Sequence, residues 1–372
     1  MSESNLFQEA NRQLTICNAC RYCEGLCPVF RAVELRRSFT GDDVRYLANL
    51  CHDCRACFHA CMYTEPHEFA LNIPKMMSDV RLESYEHWSL PKFMSRCFSK
   101  PERGIVLGWA AAAVVYIAAL ICIPWGRLFV ADVGRGSFYR VVPYTAMVIP
   151  AVLLFFYGAA IWVQGALRFW NDSDNSWEKG PGTGRSLWRS LGDVLALRYL
   201  EGGGPGCTYP SDVPSAVRRI FHSFVFWGFL LDFASTTLAF FYQDFGHRLP
   251  PYPLWSAPVV CGSVGGVGLV VGTAGLLWFK SQSDRSLSAT RSYGLDYAFL
   301  VFLGLTGLTG ILTLALRSTS AMGAILVVHL GMVAALFITA PYGKFVHVVY
   351  RSLALLRYHL EGERMESHGG HP

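Results

Sequence analysis

Six long apolar segments constrain the fold of this chain more than any other feature. They span residues 104–126, 141–167, 217–243, 254–279, 295–316 and 321–349. A helix needs about 20 apolar residues to cross a bilayer, and each segment reaches that length. Lipid offers no hydrogen bonds to the backbone, so a segment of this kind crosses as a helix, which satisfies its own polar groups. The sequence therefore predicts a six-helix transmembrane bundle.

The composition changes sharply before the first apolar segment. Residues 1–103 are polar and well charged, although only 16% of the whole chain is charged, against about a quarter in soluble domains. We therefore predict a soluble domain over residues 1–103, a membrane domain over residues 104–350 with a long loop at 168–216, and a tail over residues 351–372. The net charge of +5 comes without a basic, aromatic-interleaved patch, so nucleic acid is not an expected partner.

The distribution of lysine and arginine predicts the orientation of the bundle. Fourteen lie in loops and tail on the side of the N-terminus: Arg168, Lys179, Arg185, Arg189, Arg198, Arg218, Arg219, Lys280, Arg285, Arg291, Lys344, Arg351, Arg357 and Arg364. Five lie on the opposite side: Arg127, Arg135, Arg140, Arg248 and Arg317. Positive charge collects on the cytoplasmic side, so both termini are expected in the cytoplasm. The polar start of the chain has no apolar stretch typical of a signal peptide.

Eight of the twelve cysteines fall in a repeated motif between residues 17 and 61. Each repeat reads C-x2-C-x2-C-x3-C, with Cys17, Cys20, Cys23 and Cys27 in the first and Cys51, Cys54, Cys57 and Cys61 in the second. In two-cluster ferredoxins of this spacing, the fourth cysteine of each repeat ligates the other cluster. The motif therefore predicts two [4Fe–4S] clusters. The first is held by Cys17, Cys20, Cys23 and Cys61, and the second by Cys51, Cys54, Cys57 and Cys27.

Zinc is the alternative metal for these cysteines. A zinc ribbon uses four ligands, usually as two C-x2-C pairs, and it leaves the third and fourth cysteine of each repeat unexplained. Pro28 follows Cys27, whereas Met62 follows Cys61, so the second repeat departs from the usual motif after its last cysteine. The acidic start and helical apolar spacing of residues 41–50 indicate an α-helical, ferredoxin-like domain rather than a β-rich one. The whole chain is predicted to be all-α.

Four histidines form two candidate pairs of haem ligands. His329 and His347 stand 18 residues apart on the sixth segment, which places them on one face, about 27 Å apart, if the segment is one helix. His222 and His247 lie at the two ends of the third segment, level with His347 and His329 respectively. Paired imidazoles suit the iron of b-type haem, so the sequence predicts an inner haem at His222 and His347 and, less directly, an outer one at His329 and His247. The alternative is a set of solvated interfacial histidines.

Three further features bear on function. Asp232 is the one acid deep in a predicted helix, and it is either a proton relay to quinone or a buried acid bonded by a neighbouring helix. The loop at 168–216 contains a possible surface helix at 187–200 before a glycine run at 202–205, and it serves as a docking element or a linker. The chain has no G-x-G-x-x-G motif and no acid–base constellation, so it is predicted to be a redox-carrier subunit rather than a stand-alone enzyme.

The double cysteine motif followed directly by six histidine-bearing spans resembles the tricarballylate-utilisation protein B family, also called the citrate-utilisation protein B family. The resemblance covers essentially the whole chain, and the predicted helix with His329 and His347 is also similar to the haem helix of nitrate reductase gamma subunits. It implies a multi-pass protein of the bacterial inner membrane that reoxidises a separate cytoplasmic flavin-dependent tricarballylate dehydrogenase. The electrons would pass through two [4Fe–4S] clusters and one or two b-type haems to the membrane quinone pool.

Two other classes of function stay open. A subunit of a respiratory reductase, similar to heterodisulfide or nitrate reductase modules, would take electrons from quinol instead. A transporter of citrate or tricarballylate with sensing clusters would call for paired inverted repeats with broken helices and for cationic residues within the spans, and neither is evident in the sequence. The sequence favours the quinone-reducing carrier and leaves the direction of electron flow open.

Overall fold

The computed structural model describes residues 3–98, 100–173, 183–201 and 206–367. Within these ranges the chain forms α-helices joined by turns and short 3₁₀ segments, without a β-strand. The all-α prediction is therefore confirmed. Lys179, the glycine run at 202–205 and the end of the predicted tail at 368–372 lie outside the described residues.

Six helices build the N-terminal domain: α1 (Glu3–Cys20), α2 (Pro28–Glu34), α3 (Gly41–Leu50), α4 (Ala56–His59), α5 (Ile73–Trp88) and α6 (Lys92–Phe98). A capping box begins α3, in which the Thr40 hydroxyl accepts from the Asp43 amide and the Asp43 carboxylate accepts from the Thr40 amide, both at 3.2 Å. Leu14, Leu47 and Met77 from α1, α3 and α5 are fully buried between these helices. This core supports the loops that carry the cysteines.

The rest of the chain forms α7 (Pro101–Cys122), α8 (Trp125–Leu128), α9 (Ser137–Val141), α10 (Tyr144–Asp172), α11 (Thr183–Leu195), α12 (Val217–Asp244), α13 (Ala257–Gln282), α14 (Thr290–Ala315), α15 (Met322–Thr339) and α16 (His347–Ser367). Among the described residues, six helices are long and apolar enough to cross a membrane, namely α7, α10, α12, α13, α14 and α15. They correspond to the six predicted segments.

The sixth span is shorter than the sequence predicted. We expected one helix over residues 321–349, but α15 ends at Thr339 and a separate helix begins at His347. Pro341 has no amide hydrogen and cannot continue the hydrogen-bond ladder of α15, and the chain turns before a 3₁₀ segment that ends at Val346. His329 and His347 therefore lie on different helices, and the prediction that they share one helix face is wrong.

The predicted tail is a helix that joins the two domains. α16 packs against α3 of the N-terminal domain and against α10 and α11. The Glu361 carboxylate accepts hydrogen bonds from Arg36 at 2.5 Å and from Arg357 at 2.9 Å, and from the Tyr46 hydroxyl at 3.2 Å. This contact fixes α16 to the N-terminal domain, with His347 at the opposite end of the helix.

Glycines bring α12 and α13 close together. A Cβ added at Gly228 would lie 2.9 Å from the carbonyl oxygen of Gly265 and 3.0 Å from the amide nitrogen of Leu269. No side chain fits at that distance, so the two backbones pack directly. Asp232 of α12 lies against Gly265 in the same contact.

The surface helix predicted at 187–200 overlaps α11, which begins earlier, at Thr183, and ends at Leu195 before a 3₁₀ turn at Arg198–Glu201. Its polar residues Ser190 and Asp193 are buried, and the His359 ring of α16 hydrogen-bonds to the Asp193 carboxylate at 2.8 Å. Trp188 and Leu191 on the other face are exposed. The loop is therefore packed onto the C-terminal helix at this point.

Candidate functional site

Four cysteines from both repeats line one cavity of the N-terminal domain. The cavity is bounded by Cys17, Cys20, Cys23 and Cys61, with Tyr22, Phe30, Met62, Tyr63 and Leu71 as the other lining residues. The end of α1 presents Cys17 and Cys20. Arg21 then adopts a left-handed backbone conformation with φ 57°, which turns the chain toward Cys23. The structure thus groups the four residues that the sequence assigned to the first cluster.

The other four cysteines line a second cavity. It is bounded by Cys27, Cys51, Cys54 and Cys57, with His52, Asp53, Arg55, Ile73 and Tyr199 among the other lining residues. Asp53 and Arg55 have left-handed φ values of 53° and 63°, and these turns wrap the loop around the cavity. Cys27 and Cys61 each lie with the cysteines of the other repeat, which is the exchange typical of two-cluster ferredoxins.

The two groups of thiols suit metal ligation. Burial, followed by the proximity of Cys23 and Cys61, raises the pKa of the Cys17 thiol to about 12. Burial, followed by the proximity of Cys54 and other cysteines, also raises the pKa of Cys57. Thiols this close and this buried do not ionise together unless a cation compensates their charge, and a coordinating metal deprotonates a thiol outright.

The two cavities face different surroundings. Cys20 in the first is exposed, and Tyr22 and Met62 beside it are each 65% exposed. Cys54 in the second is buried and packs in one cluster with Tyr209 and with Phe279 of α13. The first cysteine group therefore faces solvent, and the second faces the membrane domain.

A segment far along the chain covers the second cavity, and sequence reasoning missed it. The carbonyl oxygen of Cys54 accepts hydrogen bonds from the Thr208 amide at 3.0 Å and from the Thr208 hydroxyl at 3.1 Å. Cys207 next to it is fully buried. These partners are 154 positions apart, so no local pattern indicates the contact, and part of the predicted loop at 168–216 is a structural cover.

His222 and His347 face each other at the end of the bundle next to the N-terminal domain. Their ring centroids are 6.4 Å apart and their planes meet at 89°. Metal–imidazole nitrogen bonds are about 2.0 Å long, which places two rings on opposite sides of one metal roughly 6 Å apart. The Nδ1 of His222 is buried without a hydrogen-bond partner in the structure. The pair therefore has the spacing of two axial ligands on one haem iron.

His347 is held in the form that ligates a metal. Its Nδ1 donates to the carbonyl oxygen of Lys344 at 2.6 Å, which leaves the lone pair on Nε2, as in most metal-ligating histidines. Burial, followed by the charges of Lys344 and Arg351, holds the pKa of His347 well below its usual value. The ring is therefore neutral at pH 7.

Two arginines connect the histidine pair to the second cysteine group. Arg218 and Arg351 each stand one helical turn from a member of the pair, on α12 and α16. Arg218 donates to the carbonyl oxygen of Asp53 at 2.7 Å, and Arg351 donates to that of Cys51 at 2.5 Å. A helical turn rises about 5.4 Å, so one turn of helix and one arginine side chain separate the cysteine loop from each imidazole.

The outer histidines are not brought together. The Nδ1 of His329 lies 3.0 Å from the Thr309 hydroxyl of α14, and a Cβ at Gly310 would lie 3.2 Å from the ring. His247 follows α12 in an exposed turn with φ 50°. No ring contact joins His329 to His247 in the part of the chain that the structure describes, so the outer haem stays a prediction without a paired site.

A second acid within the spans escaped the sequence analysis. Asp296 of α14 forms ion pairs with Lys280 at 2.5 Å and with Lys344 at 2.9 Å. Asp296 is the second residue of the predicted fifth span at 295–316, but α14 begins earlier, at Thr290, so Asp296 lies within the helix. The role of Asp232 as a proton relay stays a prediction.

Comparisons with known proteins agree with this architecture. The family model described as citrate utilization protein B matches residues 99–368, and the model of its Fer4-like domain matches residues 10–87. A citrate utilization protein B of Escherichia coli is 40% identical over 362 residues, which cover 97% of this chain and 94% of that protein. No solved structure matches the chain. The chain therefore belongs to the citrate utilization protein B family, with a Fer4-like iron–sulfur domain ahead of six membrane-capable helices.

Proposed function

We propose that this protein is a membrane electron carrier that reoxidises a cytoplasmic flavoprotein and reduces quinone. Two [4Fe–4S] clusters at the two cysteine groups and a b-type haem at His222 and His347 supply one-electron carriers when bound. The main observation behind this proposal is the order of the three sites, which are the two cysteine groups and the histidine pair. Cys20 of the first group is exposed, and Cys54 of the second is buried against α13. The histidine pair lies beyond the second group, one helical turn past Arg218 and Arg351. This order leads from solvent into the membrane domain.

The electron donor in this proposal is a flavin-dependent tricarballylate dehydrogenase. The exposed surface at Cys20, Tyr22 and Met62 offers a soluble donor a close approach to the first cysteine group. The name of the Escherichia coli relative refers to citrate utilization, and citrate and tricarballylate are both tricarboxylates. This chemistry supports a donor that acts on a substrate of that class.

The acceptor is quinone in the bacterial inner membrane, with both termini in the cytoplasm. The excess of lysine and arginine on the side of the N-terminus supports this orientation. Reduction of a quinone to a quinol consumes two electrons and two protons. Asp232 is one candidate to relay the protons. Asp296 with Lys280 and Lys344 is another, because the Lys344 carbonyl bonds to His347.

Replacing His347 with alanine tests the proposal. The variant should lose the b-type spectrum and the reoxidation of the donor flavin, because the iron loses one axial ligand. It should keep eight irons and eight acid-labile sulfides per chain, since the cysteines lie in another domain. His359→Ala, on the same helix but bonded to Asp193 instead, is the matched control and should keep spectrum and turnover. A normal b-type spectrum in His347→Ala would refute the haem assignment, and four irons or zinc in the parent protein would refute the two clusters.

A further inference from the structure

Three arginines from three helices converge on the loop of the second cysteine group. Arg81 of α5 donates to the carbonyl oxygens of Cys51 at 2.7 Å and Ala48 at 2.9 Å. Arg351 of α16 donates to the same Cys51 oxygen at 2.5 Å, and Arg218 of α12 donates to Asp53. Their guanidinium groups therefore contact the backbone of the cysteine loop from outside the cavity, and Arg218 and Arg351 do so from the helices that carry the histidine pair.

Carboxylates balance the charge of these arginines only from a distance, because Asp53 attracts Arg81 and Arg218 without forming an ion pair with either. None of the ion pairs within the described ranges involves Arg81, Arg218 or Arg351. The nearest acids already have cationic partners, because Asp53 lies 3.9 Å from Arg55 and Asp296 is shared by two lysines. Guanidinium groups stay charged at neutral pH, so the loop of the second cysteine group lies beside three positive charges that form no ion pair among the described residues and that little water screens.

The first cavity has no comparable group. Its lining side chains beyond the cysteines are aromatic or apolar. The arginine next to it in sequence, Arg21, is exposed and donates to the Asn18 carbonyl oxygen at 3.2 Å. Water and salt screen an exposed charge of this kind. The two cysteine groups therefore share the same ligands but differ in the electrostatic field around them.

We propose that Arg81, Arg218 and Arg351 raise the reduction potential of the cluster at the second cysteine group above that of the cluster at the first. This inference rests on the two clusters of the proposed function. An iron–sulfur cluster becomes more negative when it accepts an electron, so nearby cations stabilise its reduced form. Burial alone has the opposite effect, because it removes water from the reduced form, but it also strengthens the attraction to three close cations.

Because the second cluster then has the higher reduction potential, electrons flow from the first cluster to the second within the N-terminal domain. One electron leaves the reduced first cluster and reduces the second, without a proton or a further reactant. The reduced flavin of the donor replaces that electron at the exposed side. The arginines act as positioning residues for this transfer, because they touch the backbone of the ligand loop and not the donor.

A potentiometric titration followed by paramagnetic resonance tests the inference on the purified full-length protein. Cys20→Ala, which removes a ligand of the first cluster only, assigns the two signals. The parent protein should show the higher midpoint potential for the second cluster. Arg351→Gln and Arg218→Gln should each lower the midpoint potential of the second cluster and leave that of the first cluster unchanged. Arg351→Lys keeps the positive charge and should therefore keep most of the parent's midpoint potential. Arg21→Gln is the matched control and should move neither midpoint appreciably.

Three results would overturn the inference. The first is a second cluster that titrates at or below the first in the parent protein. The second is a pair of glutamine variants with unchanged midpoints. The third is the loss of four irons from both glutamine variants, which would make the arginines structural supports of the loop. Iron analysis separates these cases from failure of the proposed function, since a parent protein with fewer than eight non-haem irons lacks at least one of the two clusters.

Discussion

Removal of the Glu361 carboxylate should loosen the N-terminal domain from α16. Glu361 bonds to Arg36 and Arg357, and the side chains of these three residues are only 16%, 10% and 8% exposed. Breaking a buried pair by removing one partner costs about 3–5 kcal/mol. Asp43 remains bonded to Arg36 at 2.7 Å and to Arg357 at 3.4 Å, so part of the charge stays compensated. We expect Glu361→Ala to cost about 2–3 kcal/mol.

Thermal unfolding in detergent, followed by loss of cluster absorbance, measures this effect. A cost of that size corresponds to a midpoint lowered by roughly 5–10 °C. The matched control is Glu86→Ala, whose side chain is 34% exposed and pairs with Arg291, itself 52% exposed, because an exposed ion pair is worth about 1 kcal/mol or less. Equal midpoints for the two variants would refute the reasoning that the buried contact at Glu361 holds α16 in place.

Three other outcomes are expected. Burial raises the pKa of Asp43, but hydrogen bonds from Arg36 and Thr40 outweigh it and leave the pKa below its usual value. Its stabilising effect is therefore full above about pH 4 and lost as the pH falls through the lowered pKa, so Asp43→Asn should destabilise the protein at pH 7 and converge with the parent in acid unfolding. Gly228→Val should push α12 from α13 and weaken haem retention, whereas Gly192→Val, with open space around it, should not; equal haem content in both would contradict this. Reporter fusions at the C-terminus and in the 244–253 loop should report opposite sides of the membrane, and a common side would refute the topology.

Local patterns in the sequence were sufficient for much of this protein. The lengths of the apolar segments predicted the six membrane-capable helices. A helix pairs its own backbone amides and carbonyls, and lipid offers these groups no other hydrogen-bond partners. The spacing of the cysteines predicted how the eight residues divide between two cavities. Three cysteines of one repeat ligate a cluster together, and its fourth ligand comes from the other repeat.

Only the tertiary structure decided the relations between distant residues. It ended α15 at Thr339 and moved His347 to α16, and it still placed that ring opposite His222. It also brought Arg81, Arg218 and Arg351 onto one loop, although they come from helices far apart in the chain. Periodicity reports which face of a helix is apolar, but a hydrogen bond between helices depends on how those helices are placed in space. Packing of the whole chain therefore determined the surroundings of the cysteines.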